Sequence, residues 1–492
     1  MSVDQTINPA ILDWTGPHGL PNYSQIADDD FGAALRAGFT DNLAEIETIA
    51  SNAEAPTFEN TIDALERAGE TLNKAASLFF TKAGNHTNDV IQALEREFAP
   101  EFARHSGEIA KNRKLFERID TLWNQRDGRD LTTEQHQVLK KTRRGFIRMG
   151  AALEGEEQAR LIAINERLAT LGTQFSQNVL KDESDWLMII EESDLDGIPT
   201  DLRSAMAGIA KERGHEGKFA VTASRSIVVP FLVSSKRRDL REKAFAAWTS
   251  RGQNGGETDN TAVIGETLRL RAEKAKLLGF DTFAEMKLDG TMAKKPAAVM
   301  ALLETVWEKA RSRAHEEAAD IEALMSDEDG INEPLKASDW RHYAERIREQ
   351  RFAYSDDETK PYLKLENMIE ASFWVANRLF GLSFKPVEGV DWLHPDARTW
   401  QVLNADGSHQ AMFIADYFAR PSKRSGAWMS ALKMQSTLID ETPIITNTMN
   451  FAKPSDGEPA LISFEDARTL FHEFGHALHG MLSHVTYPSV AG

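Results

Sequence analysis

Cysteine is missing from all 492 residues. Disulfides and thiolate metal sites are thereby excluded, and any transition-metal site must be built from histidine and carboxylates. Long apolar runs are missing too. No stretch of about 18 apolar residues occurs, so no transmembrane helix is expected. The opening MSVDQTINPA has no basic segment followed by an apolar one, so no secretory signal is read there. Positive charge is in deficit, with 57 Lys and Arg against 76 Asp and Glu and a formal net charge of -19. A surface that acidic repels phosphate backbones and anionic lipid, which argues against nucleic acid and membranes as partners. A cytoplasmic protein is the expectation left by these absences, and a monomer is the expected state.

What is present suffices for large cores, and length alone suggests about two to four domains. The stretch NPAILDWTGPHGLPNYSQI is rich in Pro and Gly and reads as an extended arm. From about Phe31 to about Asn178, apolar residues three and four apart predict helices, with APTFEN separating two of them. Two stretches read as strands. One is KFAVTASRSIVVPFLVSS (residues 218–235). The other is the pair HQAMFIADYFAR (residues 409–420) and TPIITNTMNFA (residues 442–452). Between the two stretches the pattern is helical again. Pro296 stands near a helix start, where its missing N–H costs nothing. Val299, Leu302, Leu303, Val306, Trp307 and Ala310 then form one apolar stripe, and SDEDGINEP (residues 326–334) closes it as a polar loop. The sum is a mainly α protein with a small β-sheet just before a histidine-rich segment.

That segment is TLFHEFGHALHG (residues 469–480). His472 and His476 are four apart with Glu473 between them, the pattern H-E-x-x-H. On a helix, residues four apart point the same way, so two imidazoles can reach one cation. Glu473, beside the first of them, can take a proton from a metal-bound water. Leu470, Phe471, Phe474, Leu478, Met481 and Leu482 supply helix-spaced apolar residues, and Asp466 sits where negative charge suits the helix dipole. The bland alternative is a structural helix with surface histidines, since 13 histidines give chance some room. The position in an apolar helix directly after a sheet weighs against it, because an unpaired His-Glu pair is expensive to bury. Zinc fits best: it accepts two imidazoles and a carboxylate and leaves a fourth position for water. The predicted reaction is attack of that water on a peptide carbonyl, with Glu473 as base and later proton donor. The residues after His476, ALHGMLSHVTYPSVAG, hold no Asp or Glu. His479 falls nearly a turn further along and is read as a packing residue or one beside the ligands. It also stands where the metzincin extension needs glycine, which disfavours that class.

Three other features are weighed. Arg420, Lys423 and Arg424 form a basic cluster, read as a loop held by ion pairs and hydrogen bonds rather than a substrate contact. The strand MFIADYF could offer an edge to which an extended peptide adds. GQNGGETDN (residues 252–260) lacks the P-loop lysine and reads as a turn.

Taken with FHEFGHALHG, several longer segments carry a family likeness: YFARPSKRSGAWM (residues 417–429), residues 351–384 and 238–260, LDWTGPHGLPNYSQI and APTFENTIDALERAG. On these the chain resembles the thimet-oligopeptidase-like zinc metallopeptidases, more narrowly the bacterial peptidyl-dipeptidases, also called dipeptidyl carboxypeptidases. The resemblance implies a two-lobed helical shell around a deep substrate channel, with a small β-sheet beside the zinc helix. Residues 1–290 would form one wall, and residues 291–492 would begin the catalytic region. It implies one zinc ion held by His472 and His476, Glu473 as general base, and release of dipeptides from the free C-termini of short unstructured peptides. In the family a further ligand Glu, a Tyr and a His lie downstream, and no position here matches them. A C-terminally incomplete member with exposed apolar surface is therefore expected. An endo-acting oligopeptidase of the same family and an inactive peptide-binding remnant stay open as alternatives.

Overall fold

The computed structural model describes residues 7–353, 356–454 and 457–492, with backbone alone for 356 and 357. Residues 1–6 of the opening segment, Tyr354 and Ser355 of the segment 351–384, and Ser455 and Asp456 lie outside the described residues. Helix makes up 61% of the chain. In chain order the helices used below are α1 (Asp30–Ala50), α2 (Glu70–Asn85), α3 (Asp89–Lys111), α4 (Arg113–Asn124), α5 (Thr133–Met149), α6 (Gly155–Asp185), α7 (Thr200–Glu212), α8 (Arg225–Ser234), α9 (Arg238–Thr249), α10 (Thr261–Leu277), α11 (Phe283–Leu288), α12 (Pro296–Asp329), α13 (Trp340–Phe352), α14 (Leu365–Phe380) and α15 (Phe464–Met481). The arm before α1 is not extended. It turns through three short 3-10 segments, and Ile11, Leu20 and Tyr23 are buried.

A five-stranded sheet organises the site. Its strands are β3 (Ser383–Pro386), β4 (Arg398–Leu403), β5 (His409–Phe418), β6 (Trp428–Lys433) and β7 (Ile444–Phe451), in the order β3-β4-β5-β7-β6. Only the β5–β7 pair is parallel. A pleated strand sends alternate side chains to opposite faces, and β5 uses both faces. Ala411, Phe413, Ala415 and Tyr417 enter the core shared with α14 and α15. Met412 and Ile414 enter the core shared with α1, α2 and the N-terminal arm. The sheet is thus a middle layer between helices from the two ends of the sequence. A strand covered on both faces reads as one apolar run rather than an alternating pattern, which is what MFIADYF is. After α15 the backbone returns to the N-terminal helices. The amides of Thr486 and Tyr487 donate to Glu134 Oε1 on α5, at 2.7 and 3.0 Å.

Three further expectations need correction. Residues 218–235 are one short strand, β2 (Phe219–Thr222), paired with β1 (Leu187–Ile190), and then α8. The run IVVPFLVS is apolar throughout, so its periodicity could not separate buried strand from buried helix. Its buried members Ile227, Val228, Phe231 and Leu232 fall at helical spacing. Second, α12 continues to Asp329, and Gly330, at φ 64°, ends it, so Ser326–Asp329 is helix and not loop. The apolar stripe read on α12 faces no core. Among the described residues nothing covers it, and Trp307 is 64% exposed. Third, β5 is no edge, because β4 and β7 flank it. The exposed apolar surface expected from the sequence is there, with Trp307 on α12, Trp374 and Phe380 on α14, and Phe464 and Phe471 on α15.

Candidate active site

Helix α15 begins in a capping box. Asp466 N–H donates to Ser463 Oγ at 3.0 Å, and Ser463 N–H donates to Asp466 Oδ2 at 3.2 Å. Two orphan donors of the first turn are satisfied this way. Ala467, Leu470, Phe474, Ala477 and Met481 follow at three- and four-residue spacing and are all buried against the sheet. Phe474 anchors the helix among Phe373, Phe384 and Phe413, with ring centroids 5.8, 5.7 and 5.7 Å away. At Gly480 the helix comes so close to β7 that an added Cβ would lie 2.8 Å from Ile445 Cδ1. One side of α15 is therefore fixed by packing.

The other side carries the histidines. His472 and His476 are exposed, their rings 4.8 Å apart between centroids and nearly perpendicular. The two Nε2 atoms stand 3.2 Å apart. Ligand nitrogens about 2.0–2.1 Å from a tetrahedral ion stand roughly 3.3 Å from each other, so the pair fits two positions on one zinc. Glu473 is only 8% exposed, and among the described residues no hydrogen bond or ion pair engages its carboxylate. His479 is exposed in the last turn, so of its two expected roles packing is the one that does not hold. Among the described residues no group of three or more His, Asp or Glu gathers around a common point. The structure brings together His472, Glu473 and His476 and adds no third ligand to them.

The basic loop is what the bland reading expected. Lys423 is fully buried and donates to Asp416 Oδ1 and to the carbonyls of Asp416, Phe418 and Met449. Arg420 pairs with Asp416 and donates to the Asn85 carbonyl, and Arg424 pairs with Glu95. Gly252, Gly255 and Gly256 all have positive φ, as the turn reading of residues 252–260 requires. Hollows of about 660 and 580 Å³ lie elsewhere on the molecule, and neither is lined by the histidines. Donor chemistry, not concavity, locates this site.

The sequence model of peptidase family M3 matches residues 231–492, from within α8 through the sheet and α15. A dipeptidyl carboxypeptidase of Escherichia coli (strain K12) is 36% identical over 489 residues, covering 99% of this chain and 72% of the relative. The chain belongs to peptidase family M3. Among other relatives, the dipeptidyl carboxypeptidase of Salmonella typhimurium (strain LT2) is 36% identical over 494 residues, covering 100% of this chain and 72% of the relative. Oligopeptidase A of Haemophilus influenzae is 31% identical over 487 residues, covering 96% and 70%. The M3 match spans both faces of α15, the packed one and the one bearing the H-E-x-x-H residues. Among the described residues no helix of this M3 peptidase is long and apolar enough to cross a membrane.

Proposed function

We propose that this chain binds one zinc ion through His472 and His476 and hydrolyses short unstructured peptides, releasing dipeptides from free C-termini with Glu473 as general base. One observation carries the reading: two imidazole nitrogens 3.2 Å apart on the free face of a helix, beside a carboxylate that has no partner among the described residues. When bound, zinc supplies Lewis acidity, which polarises a carbonyl and makes water more acidic. His472 and His476 each offer one ring nitrogen, and the packing of α15 on the sheet keeps both rings on one side. No donor engages Glu473. Its carboxylate can take a proton from the attacking water and deliver it to the leaving amide nitrogen. Phe464 and Phe471 are exposed on the same helix, on a flank about 100° or more round from the histidines. Of the two terminal strands of the sheet, β3 and β6, the edge proposed for an added extended peptide is β6, which packs on α15.

The test uses the zinc-loaded protein and one peptide in two forms, with a free and with an amidated C-terminus. Mass spectrometry reads the products. Dipeptides from the free form and none from the amide support the proposal. Internal fragments from both forms would move the reading to an endo-acting oligopeptidase, which the oligopeptidase A relatives, 31% and 30% identical, make the second choice. Zinc that neither binds nor raises the thermal midpoint would leave a peptide-binding protein without catalysis.

A further inference from the structure

Helices α6, α10 and α11, with Arg148 of α5, border an open hollow of about 580 Å³ that shares no residue with the histidine site. Its walls divide by chemistry. Leu168, Leu171 and Phe175 of α6 and Ile264 and Leu268 of α10 give an apolar side. Arg148, Arg271, Lys274 and Lys287 give a cationic side, and no Asp or Glu lines it. A hollow of this volume is in the ordinary range for small organic ligands.

These cations are unusual in a chain of net charge -19, because the carboxylates nearby are engaged elsewhere. Glu266 and Glu273, the two acids of α10, are held in bidentate pairs by Arg167 and Arg160 of α6. Among the described residues Arg271, Lys274 and Lys287 have no ion pair. Lys274 Nζ donates only to the neutral Asn165 Oδ1, at 2.6 Å. The guanidinium of Arg271 lies over the Phe283 ring, 5.1 Å from its centroid. Arg148 reaches Asp289 at 3.1 Å, yet its buried Nε has no acceptor. Burial, and then the neighbouring Lys287, lower the Lys274 amine below its ordinary pKa, with no carboxylate in opposition. A guest bringing negative charge would relieve that arrangement, and one bringing an apolar chain would cover Phe175, Ile264 and Leu268.

We propose that the hollow between α6, α10 and α11 binds an amphiphilic organic anion, a carboxylate on an apolar chain, with its head on Arg271 and Lys274 and its chain against Phe175, Ile264 and Leu268. A bare inorganic anion would leave the apolar wall in water. A bilayer is a poorer fit, because the surface is concave and the acidic protein as a whole is repelled by anionic lipid. The inference is independent of peptide hydrolysis, since its test reads binding alone. Isothermal titration of the whole chain with decanoate is the experiment, with butyrate and decyltrimethylammonium as controls. Saturable one-to-one binding of decanoate is expected, weaker binding of butyrate and none of the cation. Lys274→Gln removes a charge-assisted hydrogen bond and weakens decanoate binding about tenfold or more. Leu268→Asp, at an exposed wall position, weakens it comparably, and thermal midpoints near the parent's show that both variants fold. Binding that persists through both substitutions, that never saturates, or that transfers to phosphatidylglycerol vesicles in place of decanoate overturns the proposal.

Discussion

Lys423 and Glu473 are both charged side chains buried against the same five-stranded sheet, and their surroundings differ completely. The Lys423 ammonium has four acceptors between 2.7 and 3.1 Å: one carboxylate oxygen and three carbonyls. The Glu473 carboxylate has none among the described residues. A buried charge with every hydrogen bond made belongs to the fold, where it ties β5, β7 and the loop after β5 together. A carboxylate with no protein donor, whose oxygens are not among the fully enclosed polar atoms, is left to water and free to act. Groups of that second kind, beside potential metal ligands, are candidates for chemistry. The contrast also separates two kinds of basic residue that the sequence presents alike. The cluster at residues 420–424 is saturated, whereas Arg271 and Lys274 are not.

The contrast breaks first at Glu473. Glu473→Gln keeps the shape and removes the base, so turnover of a free-C-terminus peptide should fall by a factor on the order of 10² to 10⁴. The thermal midpoint should not fall, because the substitution breaks no hydrogen bond or ion pair among the described residues. An unchanged rate would remove Glu473 from the mechanism.

At the saturated cluster the effect should appear in stability instead. Asp416→Asn leaves Lys423 and Arg420 without their counter-charge and should cost about 3–5 kcal/mol in denaturant unfolding, as breaking a buried ion pair does. The pH dependence sharpens this. Burial pushes the Asp416 carboxyl up, but Arg420 and Lys423 outweigh it and hold it below its ordinary value of 3.8. Its folded pKa is depressed, so its contribution is present above the unfolded pKa and is lost as pH falls below it. Parent stability should therefore decline on acidification through that range, and Asp416→Asn should flatten the decline. Equal declines in the two proteins would mean that other carboxylates set the acid limb.

A third perturbation acts on the packing that holds the histidines in place. Gly480→Val puts methyl groups where even a Cβ would lie 2.8 Å from Ile445 Cδ1. Overpacking of this kind should cost about 1–3 kcal/mol. Pairing it with Ile445→Ala should recover part of the loss, and a midpoint unmoved by Gly480→Val would mean the α15–β7 contact is loose.

The histidine pair was legible in sequence because its logic is local. An i,i+4 spacing on an amphipathic helix needs no knowledge of the rest of the chain. The strands β5 and β7 were legible for the same reason. The neighbours of β5 were not, because strand order depends on which segments pair, and MFIADYF reads the same at an edge or in the middle. The α8 segment failed because a run that is apolar on every side carries no period. The stripe on α12 was seen, but a stripe records only that one face is apolar and not what meets it. The burial of Lys423 had no local signal, since its acceptors come from two separate strands, β5 and β7.

The smallest effect tests whether the cap or the sheet positions α15. Ser463→Ala removes the hydroxyl that accepts from Asp466 N–H at 3.0 Å and donates to Asp466 Oδ2 at 2.8 Å. Loss of an N-cap typically costs about 1 kcal/mol. Burial already raises the Asp466 carboxyl, against the lowering hydrogen bonds from Ser463, so without the serine its pKa should rise further. The helix should not unwind, because Leu470, Phe474, Ala477 and Met481 hold it to the sheet along its length. A small drop in thermal midpoint with zinc affinity preserved is the expected pair of results. A small drop with zinc affinity lost would mean that the cap sets the pitch of the helix through His472, two turns away, and that the aromatic packing around Phe474 only follows it.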